Sequence, residues 1–264
     1  VITISNFQYG DVSSHRFSLI IGSIGRSSGV DSIDTFGSIE VETDRAADRV
    51  EPFEYAARLS DKLEFPMTIV NKHGEFYESW EVQIIQGWLF GRKSPQYLTI
   101  FEPDKMNESF ICRLINPQIL KVAGRVYGWS FTVSCSVPYG VTDEKETVID
   151  CSSGDTEYSY WNHSSVEGYI YPFMIIQLVD GETDVSIINK DDDDFEVAFT
   201  GLRADDTIRM DNNLKYVKTD SGDKVINNFN LNFFRAVDGL NRLRVTGKCV
   251  ITIRTRFRQA VGGQ

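Results

Sequence analysis

The sequence predicts a mainly β protein of two β-sandwich-type domains, the first with one α-helix and a projecting hairpin, the second a jelly roll. Three observations carry this expectation. Short runs rich in Val, Ile, Phe, Tyr and Thr recur between polar turn clusters along the 264 residues. Aromatic residues make up 12% of the chain, which suits half-buried pleated surfaces. A polar stretch from Ser136 to Asp150, containing Pro138, Gly140 and the charged run Asp143-Glu144-Lys145-Glu146, divides the chain into two lengths typical of domains. The expected domains are 1–140 and 141–264.

In the first domain, Phe17 to Ile21 and Ser38 to Glu42 alternate apolar and polar residues and read as strands with a Gly/Ser loop between them. Leu63 to Val70 is a third strand, and Pro66 places it at a sheet edge or bulge. The helix spans about Tyr77 to Leu89, with Trp80, Ile84 and Trp88 as its buried stripe and Gly91 to end it. Strands resume at Tyr97 to Phe101, Ser109 to Ile115, Ile119 to Ala123 and Trp129 to Val133.

In the second domain, Tyr169 to Val179 is apolar on both faces, as expected for a buried strand. Val185 to Ile188, Phe195 to Phe199, Thr207 to Met210 and Leu243 to Val245 are short strands, and Val250 to Phe257 closes the domain. Leu214 to Val217 and Asn228 to Phe233, joined through Ser221-Gly222-Asp223, form a hairpin pattern with Phe229, Leu231 and Phe233 inward. This spacing of short strands is that of a sandwich or jelly roll.

The formal net charge of −11 argues against nucleic acid or an anionic membrane as the main partner. The longest apolar run, Tyr169 to Val179, falls short of the ~20 residues that cross a bilayer and is interrupted by Pro172 and Gln177. The first residues lack the charged and apolar regions of a secretory signal, so no secretion by that route is expected. Cys112, Cys135, Cys151 and Cys249 include no Cys-x-x-Cys and are expected to be free thiols of a protein made in a reducing cytosol.

No catalytic constellation is legible, and the chain is expected to be no enzyme and to need no cofactor. Gly25-Arg26-Ser27-Ser28-Gly29 has the spacing of a nucleophile elbow, but no helix pattern follows, so it reads as a surface loop. His15, His73 and His163 lie in polar stretches without a ligand partner four residues on. Asp191 to Asp194 lacks the alternation and central glycine of a calcium loop and reads as a solvated inter-strand turn. Tyr158, Tyr160, Trp161 and Tyr169 to Tyr171 form an aromatic cluster that fits core or interdomain packing better than stacking on sugar rings.

Several stretches together resemble the distal tail (Dit) proteins of long-tailed, non-contractile phages and related tail-like particles. In the first domain these are Glu78-Ser79-Trp80 to Gly87-Trp88-Leu89-Phe90-Gly91, Tyr97 to Phe101 followed by Glu102-Pro103-Asp104, and Trp129 to Tyr139. In the second they are Ile170-Tyr171-Pro172, Ile208 to Asn212, Gly239-Leu240-Asn241, and Val250 to Arg254 with Arg256 and Arg258. The chain departs from the family at Phe36-Gly37-Ser38, where many relatives carry Gly-Arg-Asp-Gly.

The resemblance implies a hexameric ring at the tail tip, built by the N-terminal domains around a channel, with a galectin-like C-terminal domain lying outward. The partners it implies are further copies of the chain, the major tail tube protein and a tail-associated or fibre protein; in some relatives the outer domain carries receptor-binding parts. It further implies a virion protein made in the bacterial host cytoplasm. The contrasting reading is a carbohydrate-binding β-sandwich for attachment to host cell-wall sugars. For the ring interface, the expected residues are Arg26 in the first loop and Val41, Val50, Phe53, Tyr55 and Leu59 in a charged hairpin too polar for a core.

Overall fold

The computed structural model describes residues 6–24, 39–44, 53–59, 63–101 and 108–260, with 39–44, 53–59 and 108 described by backbone alone. The chain divides into two compact units, Val1–Thr142 with Gln259–Gln264, and Asp143–Arg258. Among the described residues the elements are almost all antiparallel strands, with one α-helix.

The first unit is built on a sheet with strand order β2-β1-β7-β8-β9-β6-β3. These strands are β1 (Asn6–Tyr9), β2 (Val12–Ser13), β3 (Leu19–Ile24), β6 (Glu64–Asn71), β7 (Gln96–Phe101), β8 (Glu108–Val122) and β9 (Arg125–Cys135). Alternation turns Phe65, Met67 and Ile69 of β6 and Trp129, Phe131 and Val133 of β9 to the same interior, where Phe110, Cys112 and Leu98 join them. The sheet curls enough to bring β3 near β1. A separate pair, β4 (Ile39–Asp44) with β5 (Phe53–Leu59), hydrogen-bonds only to itself among the described residues. Gly140–Val141 forms the short β10, paired to β8.

The helix, α1 (Ser79–Phe90), begins with a capping box in which Glu78 and Glu81 satisfy each other's backbone N–H groups, and it ends at Gly91 as expected. Its buried face differs from the expected stripe: Ile85, Trp88 and Leu89 point inward, whereas Trp80 is 63% exposed and Ile84 is 47% exposed. Seven of the twelve residues are apolar, so two overlapping stripes fit the helical period and Trp88 belongs to both. Trp88 is anchored by its indole N–H, which donates to the Tyr9 carbonyl at 3.0 Å, and it stacks on Phe7.

The structure differs from two other expectations. Ser109 to Ile115 and Ile119 to Ala123 are one continuous strand, β8, because Asn116 takes a positive φ of 53° and the extra residues are absorbed as a bulge between Ile115 and Gln118. Phe17 lies in a short 3-10 turn ahead of β3. Pro66 stands opposite Thr132 of β9, and among the described residues β6 has no strand neighbour on its other side at that point.

The second unit is a sandwich of two antiparallel sheets. One has the order β11-β19-β13-β16-β17: β11 (Lys145–Cys151), β13 (Phe173–Leu178), β16 (Thr207–Asp211), β17 (Tyr216–Thr219) and β19 (Cys249–Thr255). The other has the order β12-β18-β14-β15: β12 (Thr156–Asn162), β14 (Val185–Asn189), β15 (Phe195–Phe199) and β18 (Gly239–Thr246). Ile149, Met174, Ile176, Ile208 and Ile251 from the first sheet meet Val185, Ile187, Val197, Leu243 and Val245 from the second in one core.

Residues 228–233 are not the expected hairpin arm. Strand β17 pairs with β16 instead, and of the three residues expected inward, Phe229 is buried and Phe233 packs on the core, but Leu231 takes a φ of 64° and is 57% exposed. Strand β13 is shorter than the apolar run and buries one face, Met174, Ile176 and Leu178. Strands β11 and β12 were hidden in the polar stretch taken as the boundary and in the aromatic cluster.

Candidate assembly surfaces

Arg26 and Val50 lie outside the described residues, as does the Gly25–Gly29 loop with Ser27. The other interface candidates fall on the β4–β5 pair, whose register sets Ile39 opposite Leu59, Val41 opposite Ala57 and Asp44 opposite Phe53. The register shifts between Glu42 and Thr43, which makes Tyr55 the extra residue of a bulge. Bulges of this kind twist a strand pair and re-aim its side chains.

Two further surfaces on the first unit were not anticipated. Strand β8 pairs with β7 only as far as Cys112, opposite Gln96. From Arg113 to Val122 its sole strand partner among the described residues is β9, so one edge of its backbone hydrogen-bonding groups faces no strand. The β8–β9 hairpin closes through Ala123 and Gly124 at φ 48° and 82°, the positive pair that a tight two-residue turn requires. Ile119 and Val122 are exposed along this arm. An open edge with exposed β-branched residues is a template for pairing with another chain. The second surface is the outward side of α1, where Trp80 and Ile84 stand one turn apart.

In the second unit, the four consecutive aspartates are structural and only partly solvated. Asp192 has a side chain 3% exposed, and Arg235 reaches it with Nε at 2.7 Å and a second guanidinium nitrogen at 3.1 Å. The guanidinium is held between Tyr169, at 4.3 Å, and Phe195, at 4.7 Å from the ring centres. The Tyr169 hydroxyl donates to Asp192, and that carboxylate raises the phenol above its ordinary pKa. Asp191 binds Arg242, whose hydrogen bonds hold the carboxyl below its usual range. Asp193 and Asp194 make the turn itself, with φ 51° and 54°. The Asp191 and Asp192 charges are neutralised in place, and the described residues contain no group of three or more His, Cys, Asp or Glu able to hold a metal ion.

The aromatic cluster divides. Tyr160 is buried with its hydroxyl against Thr255, and burial pushes its pKa up to about 12. Trp161, Tyr169 and Tyr171 are exposed, and Trp161 stacks on His163 at an interplanar angle of 16°. His163 also meets the Phe257 ring edge-on, so that histidine is used in packing.

Known proteins give this arrangement a context. Residues 2–137 match the family model described as phage tail protein N-terminal domain, and residues 139–255 match phage tail C-terminal domain. No curated protein matches the chain. Among solved structures, the chain resembles the Dit (gp 19.1) protein of SPP1, titled a paradigm of the hub adsorption apparatus in phages infecting Gram-positive bacteria. Their identity is 12% and the TM-score 0.68, over 96% of this chain and 99% of that one. It also resembles a chain of the phage P2 baseplate in its activated conformation with Ca, at 10% identity and TM-score 0.52 over 96% of this chain and 98% of that one. A chain of the same baseplate with Sr gives 10% identity and TM-score 0.54, over 97% and 98%. The chain therefore belongs to the phage tail protein family defined by these N- and C-terminal domains, and it has the fold of a distal tail protein.

Proposed function

We propose that the chain is a structural hub of a phage tail tip, a hexameric ring that joins the tail tube to the tail-associated, fibre or receptor-binding machinery. The observation that carries this reading is the edge of β8 from Arg113 to Val122, which no described strand covers and along which Ile119 and Val122 are exposed. A ring needs a heterologous contact, one patch of each copy meeting a different patch of the next. The first unit offers several distinct patches: the β8 edge, the outward side of α1 and the β4–β5 pair, which includes Val41, Phe53, Tyr55 and Leu59. The likeness to a hub protein along nearly the whole chain supports the same reading. Light scattering on the purified full chain tests it; six times the 30.0 kDa chain mass is expected, and a monomer at every concentration overturns it.

A second role for the second unit rests on exposed Trp161, Tyr169 and Tyr171, rings of the kind that stack on sugars. Retention of the full chain on purified host cell-wall polysaccharide, lost in Trp161→Ala, supports it, and no retention removes it.

A further inference from the structure

Four cysteines far apart in sequence come together as two cross-strand pairs, one in each unit, with none left over. Cys112 of β8 stands directly opposite Cys135 of β9, and Cys151 of β11 stands directly opposite Cys249 of β19. Residues directly opposite in antiparallel strands point to the same face, with Cα atoms ~4.5 or ~5.5 Å apart. Both separations lie inside the roughly 4.4–6.8 Å that a disulfide spans. All four side chains are buried and all four thiols are free. The Cys151 and Cys249 thiols are close enough to share a hydrogen bond.

We propose that these are two disulfide-forming sites, Cys112–Cys135 and Cys151–Cys249, that a low-molecular-weight disulfide closes by exchange. In each, one cysteine sulfur attacks the reagent's S–S bond, forming a mixed disulfide and expelling one reagent thiol. The partner cysteine then displaces the second reagent thiol, so the protein gains one S–S bond and both protons and both electrons leave on the two reagent thiols.

Burial holds the Cys135 and Cys249 thiols up to about 12 and raises the other two, so the closed native state reacts slowly and local opening sets the rate. Strand β11 is an edge strand and Cys151 is its last residue, whereas Cys112 lies between β7 and β9 and Cys135 lies beside β8 at the end of a strand paired on its other side with β6. Cys151–Cys249 therefore closes first. This inference does not depend on the proposed ring.

The test is to incubate the reduced full chain with oxidised glutathione at neutral pH and map the bonds by non-reducing proteolysis and mass spectrometry. The expected result is two intramolecular links, 151–249 ahead of 112–135, both reversed by reductant, and a raised thermal midpoint. The first closes a loop of roughly a hundred residues and should shift the folding equilibrium on the order of a thousandfold, the shorter one on the order of a hundredfold. Cys249→Ala should abolish the first link and leave the second. Lasting glutathione adducts, links between copies, scrambled pairs, bonds that lower the midpoint, or free thiols even in urea that opens β11 would each overturn the proposal.

Discussion

Trp88→Ala removes the residue that ties α1 to the sheet of the first unit. Trp88 is 7% exposed, stacks on Phe7 with ring centres 5.9 Å apart, tilts against Phe17 at 5.2 Å and donates to the Tyr9 carbonyl. Truncating a buried Trp to Ala costs about 3–5 kcal/mol through lost contacts and the cavity left behind. Stripping the donor from a buried carbonyl adds ~1 kcal/mol, so a loss of about 4–6 kcal/mol is expected. That approaches the whole stability of many domains. Because the chain has two units, hydrogen exchange at α1 and β1 during urea titration is the appropriate assay, and those amides should lose most of their protection while β13 and β19 keep theirs. Trp80→Ala on the same helix is the control; at 63% exposure it should change stability by no more than about 0.5 kcal/mol. A loss below about 1 kcal/mol for Trp88→Ala, or equal losses for the two variants, would refute the assignment of the buried face.

Other outcomes follow from the same reasoning. Arg235→Ala leaves the Asp192 carboxylate buried without its cation; the cost, read by thermal unfolding, should be about 2 kcal/mol, below that of a fully enclosed pair because the Arg235 side chain is 33% exposed and partly screened. Asp150, Glu157, Glu182, Asp191 and Asp220 are all held below their ordinary pKa values, by Ser152, Lys190, the Lys248 backbone N–H, Arg242 and Arg209 respectively. Their contribution is present above about pH 4 and lost as pH falls through the lowered values, and all five lie in the second unit. Exchange protection in the second unit should therefore fall as the solution is acidified from pH 4 toward pH 2; unchanged protection would contradict the assigned partners. For the proposed interface, Val41→Ala with Phe53→Ala should shift the assembly toward folded monomer by sedimentation; intact rings at low concentration would remove β4–β5 from the contact.

What the sequence made legible follows from which signals are local. The start and stop of α1 are written in Glu78, Glu81 and Gly91, and short strands such as β14, β15 and β16 are bounded by turn residues that fix their ends. The buried side of α1 was not legible, because Trp80, Ile84, Ile85, Trp88 and Leu89 satisfy two faces and only the tertiary contact with Phe7 and Tyr9 selects one. Asn116-Pro117 looks like a strand break, yet β8 passes through it as a bulge on an edge where Pro117 needs no N–H partner. Strand β11 begins inside a charged run, since an edge strand with one solvated face tolerates Glu146 and Asp150 on that side, while Lys145, at the strand's exposed start, lays its ammonium over the Phe257 ring. The aspartate run and the cysteine pairs depend on register between segments 23 to 98 residues apart, which no local pattern encodes.

Electron microscopy of the purified chain tests the proposed closed ring most directly. Class averages with six-fold symmetry around a central channel are predicted, disrupted when Ile119→Lys and Val122→Lys place charges along the open edge of β8. Isolated single copies at micrometre-scale fields of concentrated sample, or open filaments in place of closed rings, would contradict it.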